Sequence, residues 1–389
     1  MTSRNEIAIY APFAHSFYEE PGQGPPGAPR GGGGAELQTA LMARALAGNG
    51  LRVAHIIYPL DSPARRVEAP VELVQRPRPG GRRGRVGKLV EAIRIWRAMA
   101  RADARLYVFR GGGAPLIAGA GFCFLRRRLL VLSASNDLDF DFDRADRSSL
   151  GLVLYRLALR RTARVIVQTA RQLELATAAV GPRHRIALIP SFAEPAGDRL
   201  AESAGDRQES EPSEAFLWIG RLVEYKLPLR YIDLARSMPS ARFRMIVSRT
   251  GETTAALSDA VAGEAAEVPN LELLTRRPRD EVQTLISKAT AVVLTSRYEG
   301  MPNVFLEAWA LEVPVLSLHF DPDGKIVDEG LGLFAEGSWE RFVELARELW
   351  EKPRLREQIG ARGPHYIAGV HSPQVVGARW SAELRLALR

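Results

Sequence analysis

Residues 296–309, Ser-Arg-Tyr-Glu-Gly-Met-Pro-Asn-Val-Phe-Leu-Glu-Ala-Trp, bring together the residue types best suited to holding a polar ligand. Two carboxylates, Glu299 and Glu307, are separated by seven residues. Gly300 permits a tight turn and Pro302 can begin a helix. The amides of Asn303, Val304 and Phe305 are then expected to point out of the helix N-terminus toward a ligand, with Met301 in the turn. Glu299 falls in the loop at a pocket lip. Glu307 falls about one and a half turns into the helix, where its carboxylate can accept two hydrogen bonds from a vicinal diol such as a ribose. The same two glutamates also suit a helix-start charge complement and a surface residue.

Two cations precede this segment. Arg221 follows the apolar run 216–219, and Lys226 stands just before Pro228, a good first-turn residue. A planar fork and a point charge at one strand end suit a diphosphate, although two solvated surface cations would look alike. A third feature, Gly31-Gly32-Gly33-Gly34, lies after the first apolar run and leads into a helix start at 35–41. Its bare backbone can approach an anion, or it can be a flexible turn. It is neither G-x-G-x-x-G nor a Walker loop, which argues against nicotinamide and P-loop chemistry.

These groups need strands and helices to place them. Short β-rich runs alternate with helical patterns: 7–10, 37–47, 53–58, 89–102, 106–109, 129–133, 150–161, 165–168, 170–179 and 186–189. That rhythm means βαβ units and a parallel sheet. Residues 194–214 are rich in Ala, Glu, Gly, Asp, Ser and Pro and read as a linker or exposed loop. Alternation restarts at 216–219 and continues through 313–318, with helices from 338 onward. The expected organisation is an N-terminal Rossmann-like domain at 1–193, the linker at 194–214, a second such domain at 215–371, and a helix at 372–389 that packs back on the first. Ligands of open parallel sheets bind at the strand carboxyl ends, so the two domains are expected to face a central cleft.

Length and composition agree with this reading. The chain has 389 residues, 46% hydrophobic and 25% charged, ordinary for a globular protein of two domains. One cysteine, Cys123, can form neither an internal disulfide nor a multi-thiolate metal site, and the first ten residues read as a strand, so a cytoplasmic protein is expected. The longest apolar stretch, 116–125, is far shorter than a membrane span. Residues 1–190 hold 29 Lys and Arg against 15 Asp and Glu, a net +14; the remaining 24 against 30 give −6. The first half is therefore expected to meet something anionic.

The combination of Gly220-Arg221…Lys226 with Ser296…Glu299-Gly300-Met301-Pro302-Asn303…Glu307-Ala308, preceded by Gly33-Gly34-Ala35-Glu36, resembles the retaining glycosyltransferases of family 4, the group 1 glycosyl transferases. The resemblance covers almost the whole chain, and the two spaced glutamates are its most specific part. It implies a GT-B fold: α/β, with two tandem doubly wound Rossmann-like domains. It implies that Arg221 and Lys226 hold a donor diphosphate, that Glu299 sits by the donor sugar, and that Glu307 binds the ribose. Backbone from Gly300, Met301, Pro302 and Asn303 would line sugar and phosphates, and Gly33 and Gly34 would approach the same diphosphate. Glu299, Arg221 and Lys226 would be the catalytic set. The implied reaction is sugar transfer with retention from a nucleotide-diphosphate sugar to a hydroxyl of a glycan, lipid-linked or small-molecule acceptor, by front-face attack.

Three positions depart from the family. Many relatives carry a histidine pair after a first-domain strand where this chain has Ser133-Ala134-Ser135-Asn136-Asp137; Ser135, Asn136 and Asp137 are expected on the acceptor side. Leucine, not glycine, follows Lys226, and Glu312 replaces a turn glycine. The missing histidine keeps open a catalytically silent nucleotide- or carbohydrate-binding scaffold, and an epimerase of nucleotide sugars shares the fold. No D-x-D motif follows a strand in a way that would hold a divalent ion, so transfer without metal or other cofactor is expected. The run Asp137, Asp139, Asp141 and Asp143 reads as an exposed acidic turn or acceptor loop before a cation site. Finally, Arg76, Arg78, Arg82, Arg83, Arg85 and Lys88 precede a helix with Leu89, Ile93, Trp96 and Met99. A cationic loop beside an amphipathic helix suits an anionic membrane surface at the inner face of the membrane. It suits nucleic acid poorly, because aromatic residues are not interleaved with the arginines. The triplet Arg126-Arg127-Arg128 reads as a solvated turn.

Overall fold

The computed structural model describes residues 4–19, 33–61, 70–80, 84–140, 142, 149–181, 185–195, 215–250 and 252–389. Within them the chain forms two compact units, one of Met1–Phe192 with Pro373–Arg389 and one of Ala193–Ser372. The linker proposed at 194–214 lies outside the described residues apart from Glu194 and Pro195.

The first unit runs β1 (Asn5–Tyr10), α1 (Gly34–Gly48), β2 (Val53–Ile57), β3 (Val71–Gln75), α2 (Gly84–Ala102), β4 (Ala104–Arg110), α3 (Ala114–Arg126), β5 (Leu129–Ser133), α4 (Ser149–Arg160), β6 (Arg164–Val167), α5 (Ala170–Val180) and β7 (Ile186–Leu188). All seven strands are parallel in the order β3-β2-β1-β4-β5-β6-β7, with Ile7 in register with both Val53 and Leu106. Near-continuous apolar strands reflect burial on both faces. Alternate residues of β1 divide accordingly: Ile7 and Ile9 pack with Leu41 and Leu46 of α1, whereas Ala8 and Tyr10 pack with Ile95 and Met99 of α2. Helices α2 to α5 share that second face.

The second unit runs β8 (Ala215–Arg221), α6 (Pro228–Ser237), β9 (Phe243–Ser248), α7 (Ala255–Ala266), β10 (Leu271–Thr275), α8 (Arg279–Ser287), β11 (Ala289–Leu294), α9 (Asn303–Ala310), β12 (Val315–Ser317), α10 (Lys325–Asp328), β13 (Gly332–Phe334), α11 (Trp339–Glu351), α12 (Pro353–Gly360) and α13 (Gly363–Tyr366). Its six parallel strands are ordered β10-β9-β8-β11-β12-β13. Phe216 and Trp218 enter one core with Tyr231, Phe243 and Phe342, and Leu217 enters the other with Phe305 and Trp309. The chain then returns: α14 (Pro373–Leu388) belongs to the first unit, where Val376, Trp380 and Leu384 join the core of α1, and Asn49 donates to Ser381 at 3.0 Å.

The apolar stretch 116–125, to which sequence periodicity assigns no element, is most of α3. Its glycine at 119 has a packing reason, since a Cβ there would lie 2.5 Å from the Phe109 ring. The short strand β3 is likewise absent from the sequence reading. Both family departures in turns occupy left-handed backbone: Leu227 has φ 48° and Glu312 has φ 59°. That conformation costs an L-residue roughly 1–2 kcal/mol and glycine little. Glu312→Gly should therefore raise the thermal midpoint by a few degrees, the expected effect of about 1 kcal/mol on a protein of this size; an unchanged or lower midpoint would count against strain at this turn.

Candidate functional site

In the second unit the crossovers leave β8 in opposite directions, since β8 is flanked by β9 and β11. The carboxyl ends of β8 and β11 form the crevice where open parallel sheets take ligands. Arg221 ends β8, and the loop beginning at Thr295 and Ser296 ends β11. A short 3-10 turn, Glu224–Lys226, brings the lysine to this point, and its backbone is tied to the neighbouring loop: Thr295 Oγ1 donates to the Lys226 carbonyl at 2.6 Å, and Arg297 N donates to the Tyr225 carbonyl at 3.0 Å. Trp218 Nε1 in turn donates to Thr295 Oγ1 at 3.1 Å. Stacking of Tyr225 on Tyr298, 4.8 Å between centroids, holds the two loops together.

The charged groups meet here. Lys226 Nζ lies 2.5 Å from Glu299 Oε1, each side chain only 14% exposed, and Ser296 Oγ donates to the same oxygen at 2.8 Å. Arg221 is more open: it donates to Tyr225 Oη at 2.6 Å and meets Glu252 at 3.1 Å on the exposed side. The structure thus pairs Lys226 with Glu299 and holds Arg221 on the neighbouring Tyr225, with Gly300, Met301 and Pro302 in the loop that follows and Asn303 opening α9. Pro302 is the residue before the helix. Its carbonyl already accepts the Phe305 amide at 3.0 Å, so Phe305 is withdrawn from the expected set of outward amides.

Glu307 lies in the middle of α9 and is 17% exposed in its side chain. Its partner, Arg279 of α8, donates at 3.0 Å and also reaches Glu194 at 3.5 Å. Burial raises the Glu307 carboxyl above its usual value, Arg279 opposes that rise, and Glu194 adds to it. Arg279 is a site residue that the sequence reading does not include. It sits 28 residues before Glu307, outside any motif spacing.

In the first unit, Gly33 precedes α1 and Gly34 begins it. Glu36 is in the first turn, its Oε2 3.1 Å from where a Gly33 Cβ would stand. Gly31 and Gly32 lie outside the described residues. Ser135, Asn136 and Asp137 follow β5 and wrap around Asp139. The Asp139 carboxylate accepts from Gly112 N at 2.7 Å, Ser135 N at 2.6 Å, Ser135 Oγ at 3.0 Å and Asn136 N at 3.4 Å. Asp139 is 6% exposed, which corrects its reading as part of an exposed acidic turn; Asp141 and Asp143 lie outside the described residues. Gly112 is held by packing too, since a Cβ would fall 2.0 Å from Tyr155 Oη.

Arg110, at the carboxyl end of β4, is a second residue the sequence reading passes over. It donates to Ser133 Oγ at 3.2 Å, its buried Nε has no partner among the described residues, and burial lowers its pKa to about 10 against the pull of Asp139 and Glu36. The expectation of an exposed cationic loop is corrected at Arg76. The Arg76 side chain is buried, bonded to Tyr10 and, at 2.6 Å, to Glu91, and Arg78 pairs with Asp61 at 2.6 Å. Groups of β1 and α2 enclose Arg76, whereas Arg78 is 47% exposed in its side chain and Lys88 is exposed. Arg82, Arg83 and the side chain of Arg85 lie outside the described residues.

Two family models divide the chain as the two sheets do: "Glycosyl transferase 4-like domain" matches residues 33–191, and "Glycosyl transferases group 1" matches 202–366. The fold is GT-B, and it is similar to sucrose-phosphate synthase from Thermosynechococcus elongatus, with TM-score 0.75, 14% identity, and 98% and 99% of the two chains covered. It is also similar to Anabaena HepE, solved with UDP-glucose, with TM-score 0.72, 16% identity, and coverage of 98% and 100%. The chain belongs to the group 1 glycosyltransferases. Among curated relatives, glycosyltransferase 1 domain-containing protein 1 of Xenopus tropicalis is 26% identical over 177 residues, 45% of this chain and 51% of that protein. The match therefore spans about half the length of that relative.

Two outcomes follow from this geometry. Asp139→Ala strands at least two buried or half-buried amides and should lower stability by about 3 kcal/mol; a loss below about 1 kcal/mol in denaturant unfolding would mean the loop is held otherwise. Because the Glu307 pKa is raised on folding, the native state binds more protons than the unfolded chain between the unfolded and folded values. Stability should fall as pH rises through that window. Glu307→Gln should remove this fall, so the variant gains on the parent as pH rises from acid toward neutral. Parallel pH profiles of the two thermal midpoints would overturn the assignment.

Proposed function

We propose that this chain transfers a sugar, with retention, from a nucleotide-diphosphate sugar to a hydroxyl of a glycan, lipid-linked or small-molecule acceptor. The observation that carries the reading is the joining of Lys226, Ser296 and Glu299 at the carboxyl ends of β8 and β11, with Arg221 held on the adjacent Tyr225. In this reading the second unit binds the donor. Arg221 and Lys226 take the diphosphate, Glu299 faces the sugar, Glu307 takes the ribose hydroxyls, and the backbone of Gly300 to Asn303 lines the rest. The first unit serves the acceptor through Ser135, Asn136 and Asp137, with Gly33 and Gly34 offering backbone to phosphate. Its net basic charge supports peripheral attachment to an anionic membrane surface.

Chemistry follows from where charge grows. The bond between the anomeric carbon and the leaving phosphate oxygen breaks as the acceptor oxygen bonds to the same face of that carbon, and the acceptor proton passes to the leaving oxygen. The sugar becomes oxocarbenium-like while the diphosphate gains negative charge, so cations beside it favour the transition state over the ground state. Lys226 must exchange part of its pairing with Glu299 for phosphate, and this frees a Glu299 oxygen to accept from a sugar hydroxyl. With two cations at the site, the reaction needs no divalent ion.

A panel of nucleotide sugars tested by thermal shift identifies the donor, since a ligand at 100 times its dissociation constant adds about 2.7 kcal/mol. With that donor, Arg221→Ala and Lys226→Ala should each slow transfer by roughly 10²-fold or more, and a chelator should leave the rate unchanged. Parental rates in both variants would overturn the assignment of the diphosphate site. Donor binding without transfer or hydrolysis would instead point to the silent scaffold.

A further inference from the structure

Exposed apolar side chains are not spread evenly over this protein. Of the 14 large hydrophobic residues exposed among the described residues, nine lie on α2, α3 and α4, neighbours on one face of the first sheet. Helix α4 is the extreme case. Its Tyr155, Ala158 and Leu159 are buried in the core, and on the opposite side Leu150, Val153, Leu154 and Leu157 are 68%, 62%, 40% and 48% exposed. The spacing i, i+3, i+4, i+7 makes these four one continuous stripe. An ordinary surface helix carries one apolar face; α4 carries two.

The stripe does not stand alone. Phe124 and Leu125, at the end of α3, are 62% and 63% exposed, and the Arg161 guanidinium lies over the Phe124 ring at 4.1 Å, which ties the end of α3 to the end of α4. Within α3, the turn after it and α4 the charge has one sign. Residues 114–128 and 149–161 contain six arginines and no aspartate or glutamate. Arg126, Arg127, Arg156, Arg160 and Arg161 are exposed. An apolar stripe flanked by arginines, on a helix lying flat against its own domain, has the pattern of an in-plane interfacial helix, with the apolar groups entering the acyl boundary and the cations at the headgroups. A protein partner would have to supply a large apolar surface with acidic groups at its rim. A bilayer rich in anionic lipid supplies both everywhere.

We propose that the α4 stripe, with Phe124 and Leu125 of α3 and the arginines around them, docks this protein on an anionic membrane surface. This site lies on α3 and α4, outside the 76–88 loop, whose Arg76 is buried against Tyr10 and Glu91. The inference deepens the reading of peripheral attachment above and is independent of sugar transfer.

Cosedimentation with vesicles tests it. The full chain should bind vesicles containing phosphatidylglycerol and not pure phosphatidylcholine, with binding weakened by salt. Combined Leu150→Ser, Val153→Ser, Leu154→Ser and Leu157→Ser should lower the partition coefficient by about ten-fold or more, as should combined Arg126→Gln, Arg127→Gln, Arg156→Gln and Arg160→Gln. Circular dichroism should be unchanged in both sets, because none of these side chains is in the core. As a second measurement that spares the fold, an environment-sensitive dye on Leu154→Cys should brighten with anionic vesicles, whereas the same dye on Leu229→Cys in the second unit should not. Parental binding by the serine variant, equal dye responses at the two positions, or failure of the parent to bind anionic vesicles would overturn the proposal. So would sedimentation equilibrium showing a dimer that the serine substitutions dissociate, which would make the stripe an interface between copies. Transfer to a soluble acceptor, followed in parallel, reports on the enzymatic reading separately.

Discussion

A parallel strand must send its chain back across the sheet before the next strand can begin, and somewhere in each sheet the direction of winding reverses. In the second unit that reversal falls at β8, flanked by β9 on one side and β11 on the other. Two crossover connections then depart from neighbouring carboxyl ends to opposite faces, leaving room between them. Lys226, Ser296 and Glu299 reach one another, and Arg221 reaches Tyr225 beside them, because their loops leave β8 and β11 at this gap. The first sheet reverses at β1, between β2 and β4, and there too the polar groups collect: Arg110 at the end of β4 and the Gly33 turn after β1.

Charge at such a gap has to be balanced while no ligand is present. Lys226 and Glu299, each only 14% exposed, hold each other, and Ser296 adds a donor to the carboxylate. A partly buried ion pair of this kind adds little net stability, because desolvation offsets much of the attraction. Its value lies in keeping both groups in place. In the proposed reaction a diphosphate at Lys226 would replace one anion by another, so the lysine would keep a counter-charge throughout. Glu307 and Arg279 stand in the same relation one helix away, with Glu194 as a further acceptor.

Much of this was legible before any coordinates. Alternating β-rich and helical runs indicate two parallel-sheet units, and the segment from Ser296 to Trp309 carries its chemistry in contiguous residues. What escaped the sequence depends on partners far apart along the chain. Asp139 reads as one member of an acidic run until Gly112, 27 positions earlier, and Ser135 are seen to donate to it. Arg279 reads as a surface cation until Glu307 is beside it. Arg76 reads as one of a basic cluster, and nothing in its neighbourhood signals that Tyr10 and Glu91 enclose it. Helix α3 is missed for another reason: glycines that weaken helical propensity are there because a side chain at 119 would strike Phe109.

Net charge was legible too, but not its distribution. The excess of basic residues in the first half comprises cations of different standing. Some are structural, as Arg76 under Tyr10 and Tyr58, Arg164 against Glu383, and Arg128 against Asp103. Others, Arg126, Arg127, Arg156, Arg160 and Arg161, remain at the surface beside leucines and a phenylalanine that water would not favour. Folding alone gives no reason for α4 to spend four large aliphatic residues on its outer face, since the inner face already closes the core with Tyr155, Ala158 and Leu159. Serine or lysine at those positions would serve the fold as well. The apolar stripe and the lack of acidic residues within α3 and α4 themselves therefore call for an explanation outside the folded unit, and a low-dielectric surface of negative charge meets both requirements.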